Sequence, residues 1–319
     1  MNHASRVAWA GVTVGVLVLP LAAGSGFYLN VLNFIALYSM VAIGLSLLVG
    51  YCGQLSISHS AFFAIGAYAS AILSTRAGLP AAAAVIVSQC ITPVLAWGIG
   101  VVVLRLGGHY LAIATLSFTI IVEILIKEMT PLTGGLQGLS SIPPITLGGV
   151  ALDSDFRFHF LVWPVTMLLF LFALNLVDSR LGRALRAIRE GEVVARLFGV
   201  DARRYKVKVF VLSSVFASIA GSLYAHFVSF VSPAVASLMF AIDIIMVLAL
   251  GGFTLLWGAL LGAAALTVLN EYLTPFADYK RAIYGLALIV IMLFFPNGLL
   301  PGLRGAVGAI LRAVPGTRR

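Results

Sequence analysis

Long apolar runs separated by short polar gaps fill most of the chain. Most runs approach the roughly 20 apolar residues that an α-helix needs to cross a bilayer. They are continuous, whereas membrane barrel strands alternate over short segments, so the pattern favours helices. We predict an all-α, polytopic transmembrane helical bundle of about ten spans. The predicted spans are residues 7–23, 29–50, 60–75, 81–104, 110–127, 159–177, 207–230, 239–252, 254–273 and 282–296.

The first of these runs has the layout of a secretory signal, with Arg6 before an apolar core. Its end, LAAGSG, is a weak cleavage site, and further spans follow at once. We therefore predict that this run stays in the protein, and that residues 1–319 form one transmembrane domain.

Residues 178–208 form the largest polar interruption. They hold nine Lys and Arg residues against four acids, a net charge of +5, with apolar runs on both sides. Such a basic segment is typical of a cytoplasmic loop. Counting spans away from it places both termini in the cytoplasm, including a basic tail at about 301–319, and places 128–158 outside.

The same segment shows the pattern of two short helices. Leu181, Leu185 and Ile188 share one face of the first helix, and the arginines between them fall away from that face. Gly191 permits a bend before the second helix. The arginines are Arg183, Arg186 and Arg189.

The second helix is expected to end at Gly199, which suits a C-terminal cap, and Asp201 is placed to cap the start of the next span. From the residues alone, the helix pair has two interpretations. It is either an interfacial helix pair on anionic lipid or a docking element for a groove on a cytoplasmic partner.

A second polar stretch, GYCGQLSISHSAFF (50–63), separates the second and third spans. It is either a cytoplasmic turn or a broken helix lining a cavity, the one setting that tolerates irregular backbone at membrane depth. The sequence leaves both open. The candidate pathway-lining residues here are Gln54, Ser56, Ser58 and His59.

Acidic residues inside predicted spans need a reason, because Asp near a helix centre costs about 2.5–3.5 kcal/mol. Glu123 precedes Lys127 by four residues and is expected to pair with it. Asp243 and Glu271 lie near predicted span ends. Structural pairing or snorkelling competes with a role in translocation, so Glu123 and Asp243 are further candidate pathway-lining residues.

Gly, Ala and Ser recur at four-residue spacing in 64–71, 219–222 and 258–265. Small residues let helices approach each other closely in a membrane. We expect tight helix contacts at these three places.

Composition excludes a soluble protein. Hydrophobic residues make up 61% of the chain and charged residues 10%, with a mean hydropathy of +1.09, whereas soluble domains carry about 25% charged residues. The net charge of +9 does not indicate nucleic acid, because the basic residues lie between apolar runs, where they orient a membrane protein. The expected surroundings are the lipid bilayer.

The sequence contains none of the nucleotide-binding, hydrolase or metalloprotease motifs for which we searched. It has no GK dipeptide and therefore no GxxxxGK[ST] phosphate loop, and neither GxSxG nor HExxH occurs. Cys52 and Cys90 form no CxxC pair. We expect no catalytic residue, metal site or cofactor in this chain.

Several stretches together resemble one family. LGRALRAIREGEVVARLFGVDARRYKVKVFVLSSVFASIAGSLYAHFVSFVSP (181–233) is similar to the permease subunits of branched-chain amino acid ABC importers, specifically the M-type partner. LSLLVGYCGQLSISHSAFFAIGAYASA, LRLGGHYLAIATLSF, TGGLQGLSSIP and FFPNGLLPGLRG agree in the same order. The resemblance covers about residues 29–304.

This resemblance implies one of two permease subunits in a bacterial inner membrane, working with two ATP-binding-cassette subunits and a periplasmic or extracellular substrate-binding protein. ATP and Mg²⁺ would bind the partner subunits. The substrate would be leucine, isoleucine, valine or a similar small amino acid or amide. The segment 178–208 would be the coupling loop. The residues implied in coupling to the ATPase are Arg186, Arg189, Glu190, Glu192, Ala195, Arg196, Phe198 and Gly199.

The chain departs from the family pattern at Thr254 and Ala259, where glycine and proline are usual, and at Asp243, where glutamate is expected. These departures leave the transported compound open. A self-contained secondary transporter or channel is the alternative function. It would need intramembrane charges or an inverted repeat to couple ions, and the sequence shows sparse charges and no repeat.

Overall fold

The computed structural model describes residues 26–273 continuously, together with isolated positions nearer the two ends of the chain. Apart from those positions, the predicted first span (7–23), the predicted tenth span (282–296) and the basic tail at 301–319 lie outside the described residues. The isolated positions are 11–13, 15, 20, 282, 283, 285, 286, 289 and 293.

Helices dominate the described part of the chain, as the apolar runs predict. The first helix, α1, continues without interruption into a π-helical turn, Ser46–Tyr51. The helices are α1 Gly26–Leu45, α2 His59–Thr75, α3 Ala81–Val103, α4 Gly108–Glu128, α5 Thr130–Thr133, α6 Asp155–Asp178, α7 Arg180–Glu190, α8 Glu192–Leu197, α9 Ala202–Val228, α10 Leu238–Gly251 and α11 Leu256–Tyr272.

Short strands and 3₁₀ turns connect the helices at one end of the bundle. β1 (Leu139–Ser140) pairs antiparallel with β4 (Phe230–Val231), with Leu139 opposite Val231. β2 (Thr146–Leu147) pairs with β3 (Val150–Ala151). The 3₁₀ turns are Gly135–Gln137 and Pro233–Ala236.

Five helices in the described part are long and apolar enough to cross a membrane: Gly26–Tyr51, α3, α4, α6 and α9. Helices α10 and α11 are long enough to cross a membrane only when taken together, and a bend of 119° separates them. At 1.5 Å per residue, their 14 and 17 residues rise about 21 and 25 Å, short of the roughly 30 Å hydrocarbon core. The all-α polytopic prediction is confirmed, and the count of ten spans stays a prediction.

The bundle has two distinct ends. One, which we call the basic end, carries α7, α8 and the stretch Gly50–Gly53, where Arg189 bonds the Gly50 carbonyl. The other, which we call the strand end, carries β1–β4. At the strand end, Asn33 Nδ2 donates to the Asp155 carbonyl oxygen at 3.0 Å, which ties the start of α6 to α1. The helices α1 and α6 therefore run in parallel from the strand end to the basic end.

Helix α9 is the centre of the fold, packed against α1, α2 and α3. Glycines permit this packing: a Cβ on Gly66 would overlap the Ser218 carbonyl oxygen, and one on Gly221 would overlap that of Phe63. Gly251 and Gly258 meet in the same way between α10 and α11. The tight contacts predicted from the small residues in 64–71, 219–222 and 258–265 are confirmed.

The outer faces of α3 and α4 are apolar. Val94, Trp97 and Ile113 are each about two-thirds exposed, at 69%, 61% and 60%. Faces of this kind are stable against lipid or a partner subunit and unfavourable in water.

Candidate functional site

The first element of the candidate site is α7, held against the end of α6. Ser179 caps α7, its Oγ accepting from the N–H groups of Leu181 at 3.1 Å and Gly182 at 3.4 Å. Leu185 and Ile188 are buried. The predicted apolar face of this helix is confirmed, and it orients α7 on the bundle.

Arg183, Arg186 and Arg189 lie off this apolar face and are exposed, as predicted. Arg189 nevertheless reaches another element, the end of α1. The Arg189 Nη1 donates to the Gly50 carbonyl oxygen at 2.5 Å. That carbonyl belongs to the last turn of the α1 helix, where carbonyl groups have no partner within the helix. The long arginine side chain therefore reaches back and caps α1. Arg183 and Arg186 instead bond the carbonyls of Asp178 and Val177 at the end of α6.

The second element, α8, has both ends defined by the residues that the sequence indicates. Gly191 separates it from α7. Gly199 adopts φ +80°, its N–H bonds Arg196 O at 2.9 Å, and Val200 N–H bonds Ala195 O at 3.0 Å. This pattern is a Schellman motif, for which the left-handed residue is usually glycine. The predicted caps at Gly199 and at Asp201, which accepts from Arg204 N–H at 3.1 Å, are confirmed.

Helix α8 presents apolar side chains outward. Leu197 and Phe198 are 82% and 83% exposed, and Val193 is 72% exposed, while Ala195 faces the bundle and is buried. Exposed side chains of this size at the end of a capped helix are typical of a protein–protein contact. Ala195 therefore seats α8 on the bundle, and its implied role in coupling stays a prediction.

Glu192 anchors the start of α8 through ion pairs with Lys206 of α9 and Arg196 of α8. The Lys206 side chain is almost completely enclosed. Partial burial acts to raise the pKa of Glu192, but the hydrogen bonds and charges of Lys206 and Arg196 outweigh it and hold this pKa below its ordinary value. Glu190, in contrast, is exposed at the end of α7. Contact of either acid with an ATPase stays a prediction.

The third element is the irregular segment between α1 and α2. Ile57 N–H donates to Thr115 Oγ1 at 3.0 Å, and Thr119 Oγ1 donates to Ile57 O at 3.1 Å. These threonines lie about 10 and 17 Å along α4 from its first residue, Gly108, at 1.5 Å per residue. Of the two interpretations of 50–63, the structure therefore favours a broken helix at membrane depth.

The candidate pathway-lining residues divide between this segment and other helices. Ser56, Ser58 and His59 are buried together, with 2.9 Å between the two serine hydroxyl oxygens. Gln54 lies nearer the basic end and donates to the Cys52 carbonyl. The other two are elsewhere. Glu123 pairs with Lys127 at 2.6 Å, as predicted, and Asp243 lies in the first half of α10.

One contact of this site was not predicted from the sequence. The loop between α10 and α11 reaches the last turn of α1, where Ser46 Oγ donates to the Phe253 carbonyl oxygen at 3.1 Å. A Cβ on Gly50 would overlap that same carbonyl. Glycines at the two helix ends, Gly50 and Gly252, are visible in the sequence. Their spacing along the chain does not show that these two helix ends contact each other.

A bundle with apolar outer faces and irregular backbone within its depth belongs to the class of multi-pass membrane transport proteins. Comparison with known proteins defines the class more closely. The model of the branched-chain amino acid transport system permease component family matches residues 27–295. The chain therefore belongs to this family of transport permeases.

Two kinds of relative are similar to the chain. The high-affinity branched-chain amino acid transport system permease protein LivM of Escherichia coli (strain K12) is 33% identical over 288 residues, which are 83% of this chain and 68% of the relative. The high-affinity branched-chain amino acid transport system permease protein LivH of Salmonella typhimurium (strain LT2) is 26% identical over 281 residues, which are 82% of this chain and 91% of the relative. No solved structure matches this chain.

Proposed function

We propose that this chain is a permease subunit of an ABC importer that brings leucine, isoleucine, valine or a similar small amino acid into the cell. The observation that supports it most directly is α8, whose exposed Val193, Leu197 and Phe198 stand on a helix pair fixed by caps and ion pairs. A rigid apolar projection fits a groove on a partner. Because the chain belongs to a family of transport permeases, we infer that this partner is an ATP-binding-cassette subunit.

The complex contains this chain, a second permease subunit, two ATP-binding-cassette subunits and a substrate-binding protein. The separate names LivM and LivH among the relatives support a second permease. ATP and Mg²⁺ bind the cassette subunits, and motion at α7 and α8 is passed to the helices that form half of the pathway.

The basic end faces the cytoplasm of a bacterial inner membrane, with both termini on that side and ten spans in all. The basic charge of 178–208 supports this orientation.

Affinity purification of the tagged chain from its own host, followed by reconstitution in vesicles, tests this function. We expect two cassette subunits and a second permease to co-purify, and labelled leucine to enter only with ATP and the binding protein. The double substitution Leu197→Ser/Phe198→Ser should reduce recovery of the cassette subunits. Leu136→Ser is the matched control, because Leu136 is 75% exposed at the strand end.

Recovery of this chain alone, with uptake driven by an ion gradient in the absence of ATP, would establish the secondary-transporter alternative instead. Equal recovery of cassette subunits with the Leu197/Phe198 and Leu136 variants would overturn the role of α8 while leaving the importer intact.

A further inference from the structure

Helix α2 begins inside the bundle and not at either end. The Ile57 backbone is bracketed by Thr115 and Thr119, about one-third to one-half of the way along α4. His59, the first residue of α2, follows two positions later. The first N–H groups of a helix have no partner within it, and they form the positive end of the helix dipole. Here those groups lie within the depth of the membrane.

Unpartnered polar side chains lie at this helix start. His59 is 2% exposed, and neither of its ring nitrogens has a hydrogen-bond partner among the described residues. The Ser60 hydroxyl is fully buried and is likewise without a partner in that part of the chain. Buried polar groups are normally hydrogen-bonded, so two adjacent exceptions at a helix N-terminus require an explanation.

A second short helix begins next to the first. After α9, the chain forms β4 and the 3₁₀ turn Pro233–Ala236, which packs against α2 and α4. Ser237 Oγ then accepts from Phe240 N–H at 3.3 Å and caps α10. The rings of Phe63 and Phe240, each in the early turns of its helix, are 5.0 Å apart between centroids. The starts of α2 and α10 therefore meet.

The same order of elements thus occurs twice in opposite directions. Helix α1 runs to the basic end and is followed by an irregular segment, the short helix α2 and then α3. Helix α9 runs to the strand end and is followed by an irregular segment, the short helix α10 and then α11. In secondary transporters with inverted repeats, the N-termini of interrupted helices face anionic groups of the substrate. The underlying attraction between a helix N-terminus and an anion does not depend on how transport is driven.

We infer that the first turn of α2 binds the α-carboxylate of the transported amino acid, with the His59 imidazole and the Ser60 hydroxyl as donors. This inference rests on the proposed function. A carboxylate is an acceptor only, and it matches a helix start together with imidazole and hydroxyl donors. The adjoining Phe63 and Phe240 rings provide an apolar surface for an aliphatic side chain.

The site is enclosed in this structure, since His59 and Ser60 are both buried. A substrate reaches it when the starts of α2 and α10 separate, which an alternating-access cycle requires. The substrate carboxylate then accepts hydrogen bonds from the His59 and Ser60 side chains, which have no partner among the described residues in the closed structure.

Binding of labelled leucine to the purified full complex, without the substrate-binding protein, tests the site. We expect unlabelled leucine to compete and leucinamide, whose carboxylate is replaced by a neutral amide, to compete at least tenfold less well. His59→Phe, which keeps an aromatic ring and removes both nitrogens, should weaken leucine binding by about tenfold or more. His59→Gln, which keeps a donor, should recover part of it, and Ser60→Ala should weaken binding severalfold.

Ser70→Ala is the matched control. Ser70 is buried in the same helix, and its hydroxyl bonds the Ala67 carbonyl, so leucine binding should equal that of wild type. If His59→Phe does not assemble with its partners, Ser60→Ala and His59→Gln decide the matter.

Two outcomes overturn the site: leucinamide competing as well as leucine, or His59 and Ser60 variants that bind leucine as wild type does. Neither outcome contradicts the proposed function if the wild-type complex takes up leucine with ATP. A wild-type complex without ATP-driven leucine uptake overturns the proposed function itself.

Discussion

The Arg189 guanidinium donates to the Gly50 carbonyl oxygen at 2.5 Å, and this bond ties helix α7 to the last turn of α1. Gly50 is also where the loop after α10 rests, because only a residue without Cβ leaves room for the Phe253 carbonyl. Three elements therefore meet at one glycine: the candidate coupling segment, the helix before the broken segment, and the α10–α11 bend.

Arg189→Gln should loosen this junction while leaving the subunits assembled. A hydrogen bond from a charged, partly exposed donor is worth about 1 kcal/mol, or about fivefold in an equilibrium. We expect the amount of leucine transported per ATP hydrolysed to fall severalfold. The ratio is measured in vesicles, with Arg183→Gln as control because Arg183 bonds only the end of α6 among the contacts described. An equal fall in both variants would contradict the special role of Arg189.

Gly199→Val should disrupt the end of α8. The residue has φ +80°, where a β-branched side chain costs about 1–2 kcal/mol, and no atom lies within 4 Å of an added Cβ, so the effect is purely one of backbone conformation. Co-purification of the cassette subunits should decrease. Gly107→Val is the matched control, since Gly107 also has open space around it but an extended φ of −121°. Loss of partners in both variants would rule out this explanation.

Glu192→Gln should destabilise the attachment of α8, because the enclosed Lys206 loses its countercharge. Since Glu192 is about one-third exposed, we expect roughly 1–3 kcal/mol, less than for a fully buried pair. Thermal unfolding of the purified complex measures it. The double variant Glu192→Gln/Lys206→Met should recover stability, and Glu190→Gln should have little effect. A double variant no more stable than Glu192→Gln would contradict the pairing.

The same pair predicts a pH dependence. The pKa of Glu192 is lower in the folded protein than its ordinary value of 4.5, so its contribution is fully present above that value and is lost as the pH falls through the folded pKa. Stability from this pair should therefore be constant between about pH 6 and 8 and decline only below the ordinary Glu range. The contribution of Glu192 is measured as the difference in unfolding temperature between wild type and Glu192→Gln, from about pH 8 down to below the ordinary Glu range. A difference that already disappears at neutral pH would contradict it.

Gly221→Leu should prevent close packing of α9 on α2, since even a Cβ at this position overlaps the Phe63 carbonyl. Overpacking of this kind costs about 1–3 kcal/mol, and more where backbone must move. The yield of folded protein and its unfolding temperature report the effect. Gly98→Leu is the control, because Gly98 lies in α3 with no atom within 4 Å of an added Cβ. Equal losses in both would indicate a general intolerance of leucine.

Much of the local structure follows from residues close together in sequence. The apolar face of α7, the caps at Gly199 and Asp201 and the Glu123–Lys127 pair were all predicted, because each depends on neighbours within about one helical turn. The relative direction of two neighbouring helices was not predicted. The predicted runs 239–252 and 254–273 match α10 and α11 within two residues, but the 119° bend between these helices is not visible in the sequence. Hydropathy gives the length of an apolar run and not the direction of its helix.

The sequence by itself determined that the protein lies in a membrane, that it is helical and that its basic charge gathers at 178–208, since these depend only on composition and periodicity. The tertiary structure decided where the irregular segments lie. The placement of Ile57 between Thr115 and Thr119, of Arg189 on Gly50 and of Phe63 beside Phe240 joins residues separated by 58 to 177 positions. Contacts at such separations depend on how whole helices pack, and a local pattern carries no record of that packing.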